Sequence, residues 1–173
     1  TFKPKINLET SGHIVKSTPS EKELVLNFLT PHGKWHMHTT YYDDLRMLTL
    51  SRGIEPLWLN DQQASEIDVK DNDWVEAYND NGMVVTRAVV SARIPKGTCW
   101  FYHAQERTLF PKSPLRHKRG GAHNSLTCMR LKPVLMVGAY AQHSYRFNDY
   151  GPPPADRDTW VIVHKLTDKP PWD

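Results

Sequence analysis

Cysteine is nearly absent: Cys99 and Cys128 are the only two in 173 residues. That excludes a disulfide framework, and without a CxxC pair it also excludes a local zinc knuckle. No stretch approaches the ~20 consecutive apolar residues that a helical membrane span requires. Charge of one sign is scarce as well, since 22 basic side chains against 19 acidic ones leave a net charge of +3. Such a balance argues against a nucleic-acid-binding domain, and the aromatics form no RNP pattern. The signatures of self-contained catalysis are missing too: there is no GxSxG elbow, HExxH helix, Walker loop or GxGxxG turn. With Thr1 in place of an initiator methionine, we expect a processed chain or a fragment, whose remaining catalytic groups would lie upstream.

What is present in excess is proline (13), tryptophan (6) and histidine (9). The prolines disfavour long helices, while 39% hydrophobic and 10% aromatic residues are too many for disorder. The length suits one domain.

Along the chain, residues 1–23 read as an extended entry segment. Leu24 to Leu29 is a short strand stopped by Thr30-Pro31, and Asp43 to Leu50 is either a helix or an irregular packed segment. Leu57-Trp58-Leu59 is a brief strand, after which Asn60 or Asp61 caps a short helix through Ile67. Asp73 to Tyr78 and Met83 to Val90 alternate around Asn79-Asp80-Asn81-Gly82. This is a hairpin, in which Asn81-Gly82 is expected to supply positive φ angles. Thr98 to Tyr102 is a β-branched and aromatic strand. Residues 111–125 form a long polar loop of the kind that often carries function. Leu135-Met136-Val137 is a further short apolar run, and Thr159 to Val163 a better strand. Many short strands joined by irregular loops indicate one mainly β, barrel-like domain with short helices. The barrel is expected over residues 24–166, with 167–173 as a C-terminal tail.

Three constellations can carry chemistry. In Thr30-Pro31-His32-Gly33-Lys34-Trp35-His36-Met37-His38, extended backbone would place His36 and His38 on one face, and His32 need not join them. A metal reading lacks the four ligands of a structural zinc site, so no metal ligand is assigned. A solvated surface loop is the bland alternative. The chemistry suits a heteroaromatic, phosphate-bearing ligand better. Neutral imidazoles offer one donor and one acceptor, Gly33 admits close backbone approach, and Lys34 matches a phosphate. In Tyr102-His103-Ala104-Gln105-Glu106-Arg107, His103 stands at a strand end, where ligand groups often sit. A hydrogen-bonded core histidine beside a surface Glu106/Arg107 pair is the favoured reading of that segment alone. In Arg116-His117-Lys118-Arg119-Gly120-Gly121-Ala122-His123-Asn124-Ser125, basic groups flank glycines that let backbone N–H groups converge on phosphate, with Asn124 or Ser125 completing the hydrogen bonding. A solvated basic tip or an RNA-contacting loop remains equally open there. Cys99 lies within an apolar strand and reads as a buried thiol rather than a nucleophile.

Taken together, TPHGKWHMHTTYYDDLRMLTLSRG, DNDWVEAYNDNG, TRAVVSAR, YHAQERT, RGGAHNS and GAYAQHSYRFNDYG resemble one family. The chain is similar, from Leu24 to Lys165, to the C-terminal region of the catalytic alpha subunit of the respiratory nitrate reductases. These are molybdenum enzymes of the dimethyl-sulfoxide-reductase superfamily. The resemblance implies a double-psi β-barrel closing over Mo-bis(molybdopterin guanine dinucleotide). It places His32, His38, His103 and His123 near the pterins, and Lys34, Arg119, Gly120, Gly121, Asn124 and Ser125 near the pyrophosphate, ribose or guanine; Gly33 is counted with the cofactor-binding residues for the close backbone approach it admits. His36 stands where the motif has a smaller residue and receives no role, and Leu109 to Lys118 diverges from the pattern.

The molybdenum-ligating aspartate and the iron–sulfur cluster ligands of that family are not in this segment. The isolated chain is therefore not expected to turn over nitrate. The implied partners are the remainder of the catalytic subunit, an iron–sulfur electron-transfer subunit and a membrane cytochrome subunit, with membrane association through them on the cytoplasmic side. A nitrite oxidoreductase running oxygen-atom transfer in reverse is the enzymatic alternative. A non-catalytic phosphate- or nucleotide-binding module is the alternative of a different class.

Overall fold

The computed structural model describes residues 22–38, 40–41, 44–79, 82–103, 111–115, 120–126 and 159–170. Its six strands are β1 (Glu23–Leu29), β2 (Leu57–Leu59), β3 (Trp74–Tyr78), β4 (Met83–Val90), β5 (Thr98–Phe101) and β6 (Trp160–Lys165). They close into a barrel in the order β1-β5-β2-β4-β3-β6, which meets the expected barrel class. β1 runs parallel to β5 and β2 parallel to β4, whereas the remaining four seams are antiparallel. No hairpin can join a parallel pair, so the chain leaves the sheet between these strands. The excursions after β1 and β5 carry the candidate site.

The barrel's interior follows from alternation. Along β1 the side chains of Leu24, Leu26 and Phe28 are buried, and those between them are partly exposed. Register then aligns Phe28 with Cys99, Leu57 with both Phe101 and Ala88, and Leu26 with Val161. Phe28 and Phe101 stack across the middle with ring centroids 6.2 Å apart. Each such side chain contributes about 1.5–3 kcal/mol when taken from water. Every strand of this barrel and the core within it belong to this chain.

Helix α2 (Asp61–Glu66) covers one end of the barrel, with Ala64, Ile67 and Val69 joining the same core. Asn60 starts it by accepting from the Gln62 and Gln63 amides, and its own amide donates to the Ile94 carbonyl. The cap is therefore also a tether. Helix α1 (Leu45–Leu50) is capped by Asp44, but none of its residues is buried. Of the two readings for that stretch, helix is right and packing is not: Leu45 is 79% exposed.

The hairpin of β3 and β4 forms as expected, and its register sets Tyr78 opposite Met83. Its glycine acts differently from expectation. Gly82 does not adopt a positive φ, and a Cβ there would fall 2.5 Å from the Ser125 carbonyl oxygen. It is small because the 111–125 loop crosses over it. That loop ends in a 3-10 turn (His123–Ser125), and the Leu135 to Val137 run lies outside the described residues.

Candidate functional site

Two chain excursions meet above the β1/β5 edge. β1 ends at Leu29 and leads into His32, while β5 ends at Phe101 and leads into His103. The parallel pairing of these strands delivers both loops to the same end of the barrel. The His103 amide donates to the Pro31 carbonyl at 3.2 Å, and its ring Nδ1 lies 3.0 Å from the same oxygen.

A carbonyl only accepts, so Nδ1 of His103 carries the proton. Its Nε2 is then an acceptor in the neutral ring, and His38 Nδ1 donates to it across 3.2 Å. His32 stands edge-on to both, with ring centroids 4.5 Å from His103 and 5.5 Å from His38. His123 arrives from the other loop, 6.3 Å from His103. Burial holds the His103 pKa below the ordinary value of 6.5; the neighbouring histidines push it the same way, and the Pro31 carbonyl opposes them. Burial thus favours the neutral imidazole at His103.

The ligating nitrogens of His32, His38 and His103 lie within 4.8 Å of one another, close enough for one metal ion. His103 Nε2 and His38 Nδ1 are the two of these that also lie at hydrogen-bond distance. No cysteine or carboxylate joins this set among the described residues. Each imidazole also offers a donor and an acceptor edge for hydrogen bonding to a planar heterocycle. His32 and His38 are exposed and His103 half-buried, so the ring edges are open to a ligand.

The structure shows how this segment runs. His32 joins the cluster: the chain bends over Lys34 to His36 and turns at Met37, whose carbonyl accepts from the Thr40 amide, while His38 takes φ 51°. That turn also separates His36 from His38. His36 points inward, its side chain 4% exposed, with Nε2 3.3 Å from Glu55 Oε2. An added Cβ on Gly33 would run into the His36 ring, so the glycine leaves room for that ring.

Other expected residues scatter. Lys34 Nζ lies 4.4 Å from the Trp35 ring centroid. Gly120 and Asn124 are exposed, while Gly121 is buried with Ser125 Oγ and the Met83 carbonyl where a Cβ would be. Arg119, Glu106 and Arg107 lie outside the described residues. The loop bearing His123 is anchored by Asn79, whose amide donates to the Leu126 and Trp160 carbonyls. Asn79 and Glu55 both act in the site's support, and neither has a sequence signal beyond being polar between apolar runs.

Comparison with known proteins adds to this geometry. The model of a family described as the molydopterin dinucleotide binding domain matches residues 26–144. The nitrate reductase alpha chain of Bacillus subtilis (strain 168) is 50% identical over 168 residues, covering 96% of this chain and 14% of that protein. The respiratory nitrate reductase 1 alpha chain of Escherichia coli (strain K12) is 44% identical, covering 95% of this chain and 13% of its own. A nitrate reductase alpha subunit of Mycobacterium tuberculosis (strain CDC 1551 / Oshkosh) is 48% identical, covering 82% of this chain and 12% of its own. The chain thus spans no more than 14% of the length of these relatives.

Proposed function

Since the chain belongs to the molydopterin dinucleotide binding domain family, we propose that it is the cofactor-holding wall of a nitrate reductase catalytic subunit. The cofactor would be Mo-bis(molybdopterin guanine dinucleotide). The observation that carries this reading is the cluster of His32, His38, His103 and His123, gathered from the two excursions after β1 and β5. A pterin presents ring nitrogens and exocyclic amino and carbonyl groups, and neutral imidazoles with one donor and one acceptor edge match them. When bound, the cofactor supplies the two-electron oxygen-atom transfer that turns nitrate into nitrite.

The chain's residues do the rest. The Pro31 carbonyl fixes the ring orientation and tautomer of His103, and His103 in turn accepts from His38. Such fixed partners set the electron density of the group they touch. Gly120, Asn124 and Ser125 lie on the loop beside His123; with Gly121, Lys34 and Arg119 they are the residues we assign to the dinucleotide's phosphate and nucleoside end. Electrons would arrive from an iron–sulfur subunit, and a membrane cytochrome subunit would anchor the assembly. No helix of the described residues is long and apolar enough to cross a membrane.

The test uses the complete catalytic subunit with His103→Ala. Potentiometric electron paramagnetic resonance should show shifted molybdenum midpoints at unchanged pterin content. Parent midpoints at full loading would remove His103 from the cofactor's surroundings.

A further inference from the structure

One histidine of the motif lies outside the cluster and yet touches its backbone. His36 is buried where its neighbours are exposed, and both of its ring nitrogens are engaged. Nδ1 lies 2.8 Å from the His38 carbonyl oxygen, and Nε2 3.3 Å from Glu55 Oε2. A carbonyl only accepts, so Nδ1 is the donor, and the contact with Glu55 then holds one further proton, on either the imidazole or the carboxyl. Glu55 is itself fixed: it is 1% exposed, and its own carbonyl accepts from Thr86 Oγ1 inside the barrel.

His38 needs such a hold. Its φ of 51° lies in the left-handed region, where a side chain with a Cβ is strained. The conformation persists only where the surroundings impose it. The Thr40–Met37 bond closes the turn on one side, and His36 holds the His38 carbonyl on the other. The barrel wall is thereby linked to the cluster in sequence: Thr86, Glu55, His36, His38, His103. Gly33 belongs to the same device, because only a residue without a Cβ leaves room for the His36 ring.

We propose that His36, backed by Glu55, is a positioning residue that sets the direction in which His38 presents its ring to the cofactor and to His103. It touches no cofactor itself. The inference rests on the cofactor reading only for what His38 is aimed at.

The two contacts of His36 can be separated, because the short amide of asparagine reaches about as far as Nδ1 and the longer amide of glutamine about as far as Nε2. His36→Asn keeps a donor for the His38 carbonyl, whereas His36→Gln keeps a partner for Glu55 and loses the hold on His38. The readout is the ring 15N shifts of His38 and His103 in the labelled, cofactor-free 173-residue chain. Amide signals of Ala88 and Val163 report that the barrel is intact.

In the parent, each ring should show two well-separated 15N shifts, the mark of one fixed tautomer. That separation should collapse in His36→Gln and persist in His36→Asn. Parent-like separation in His36→Gln would overturn the proposal, since His38 would not need His36. Equal collapse in both variants would overturn it as well, since the ring would then merely fill space. These spectra contain no cofactor, so they answer for His36 alone. The cofactor reading stands or falls on the molybdenum midpoints.

Discussion

His164 Nε2 lies 2.6 Å from Glu76 Oε2, the two residues facing each other across the β6/β3 seam with both side chains wholly buried. The Tyr78 ring stands edge-on to the imidazole at 5.9 Å, and its hydroxyl donates to Glu23 on β1. A polar seam thus runs around the outside of the barrel where its last strand joins. Removing one member of a buried pair strands the other and typically costs about 3–5 kcal/mol.

Glu76→Ala should therefore destabilise the chain by about 3–5 kcal/mol in urea unfolding. The double variant Glu76→Leu/His164→Phe should recover most of that, because an apolar pair of similar volume leaves no polar group stranded. A loss below about 1 kcal/mol from the single change, the range of an exposed pair, would show that the seam does not depend on the couple.

Two glycines should respond differently to alanine. At Gly121 the added Cβ would meet the Met83 carbonyl at 2.5 Å and Ser125 Oγ at 2.4 Å. Overpacking of this kind costs about 1–3 kcal/mol, and it should also move the His123 ring signals. At Gly97 space is open but φ is +79°; the cost there is the left-handed strain of about 1–2 kcal/mol, with His123 unmoved. Urea midpoints and histidine ring spectra of both variants check this. Equal displacement of His123 in the two would refute the distinction.

His103 gives the fold a pH dependence of known sign. Burial first, and then the other histidines, hold its folded pKa below 6.5. The unfolded chain therefore takes up this proton before the folded one does. The stability that the neutral ring supplies is complete above pH 6.5 and is lost as pH falls through the lower folded value. Substituting His103→Gln should flatten the parent's stability curve below pH 6.5 and leave it parallel above. Parallel curves throughout would mean that His103 titrates alike in both states.

Cys99 should be inert while the barrel is closed. It is fully buried, and burial pushes its thiol far above the usual range. Alkylation mapped by mass spectrometry should label Cys99 only once denaturant opens the barrel. Labelling in native buffer at the rate of a small free thiol would contradict the closed core.

What could be read from the sequence and what could not divides by distance along the chain. Trp74 to Tyr78 and Met83 to Val90 alternate side by side, so pattern alone places their hairpin and its register. Asn60 as a cap is equally local. The parallel β1/β5 seam is not, since Asn27 meets Thr98 only through the whole fold. Without that seam His32 and His103 have no reason to be neighbours.

The same limit explains the misplacement of His36. Period-two reasoning assumes an unbroken strand, and one left-handed residue at His38 reverses it. Gly82 and Gly121 are a third case. Each also yields room to Ser125, a contact visible only after packing. The candidate histidines themselves were legible because several imidazoles in short segments are chemically conspicuous. Their common support, Glu55 and Asn79, was not.

Closure of the barrel by β6 has a consequence for the order of events during synthesis. β6 pairs with both β1 and β3, yet it lies more than thirty residues beyond the 3-10 turn. A nascent chain emerged only through Leu126 holds five strands and two unsatisfied edges, one on β1 and one on β3. The β1/β5 seam is already available to it, so the arms carrying His32 and His103 can meet while the sheet is still open. The last strand then seals the cylinder behind them. Topology thus allows recognition to be assembled before the wall is locked.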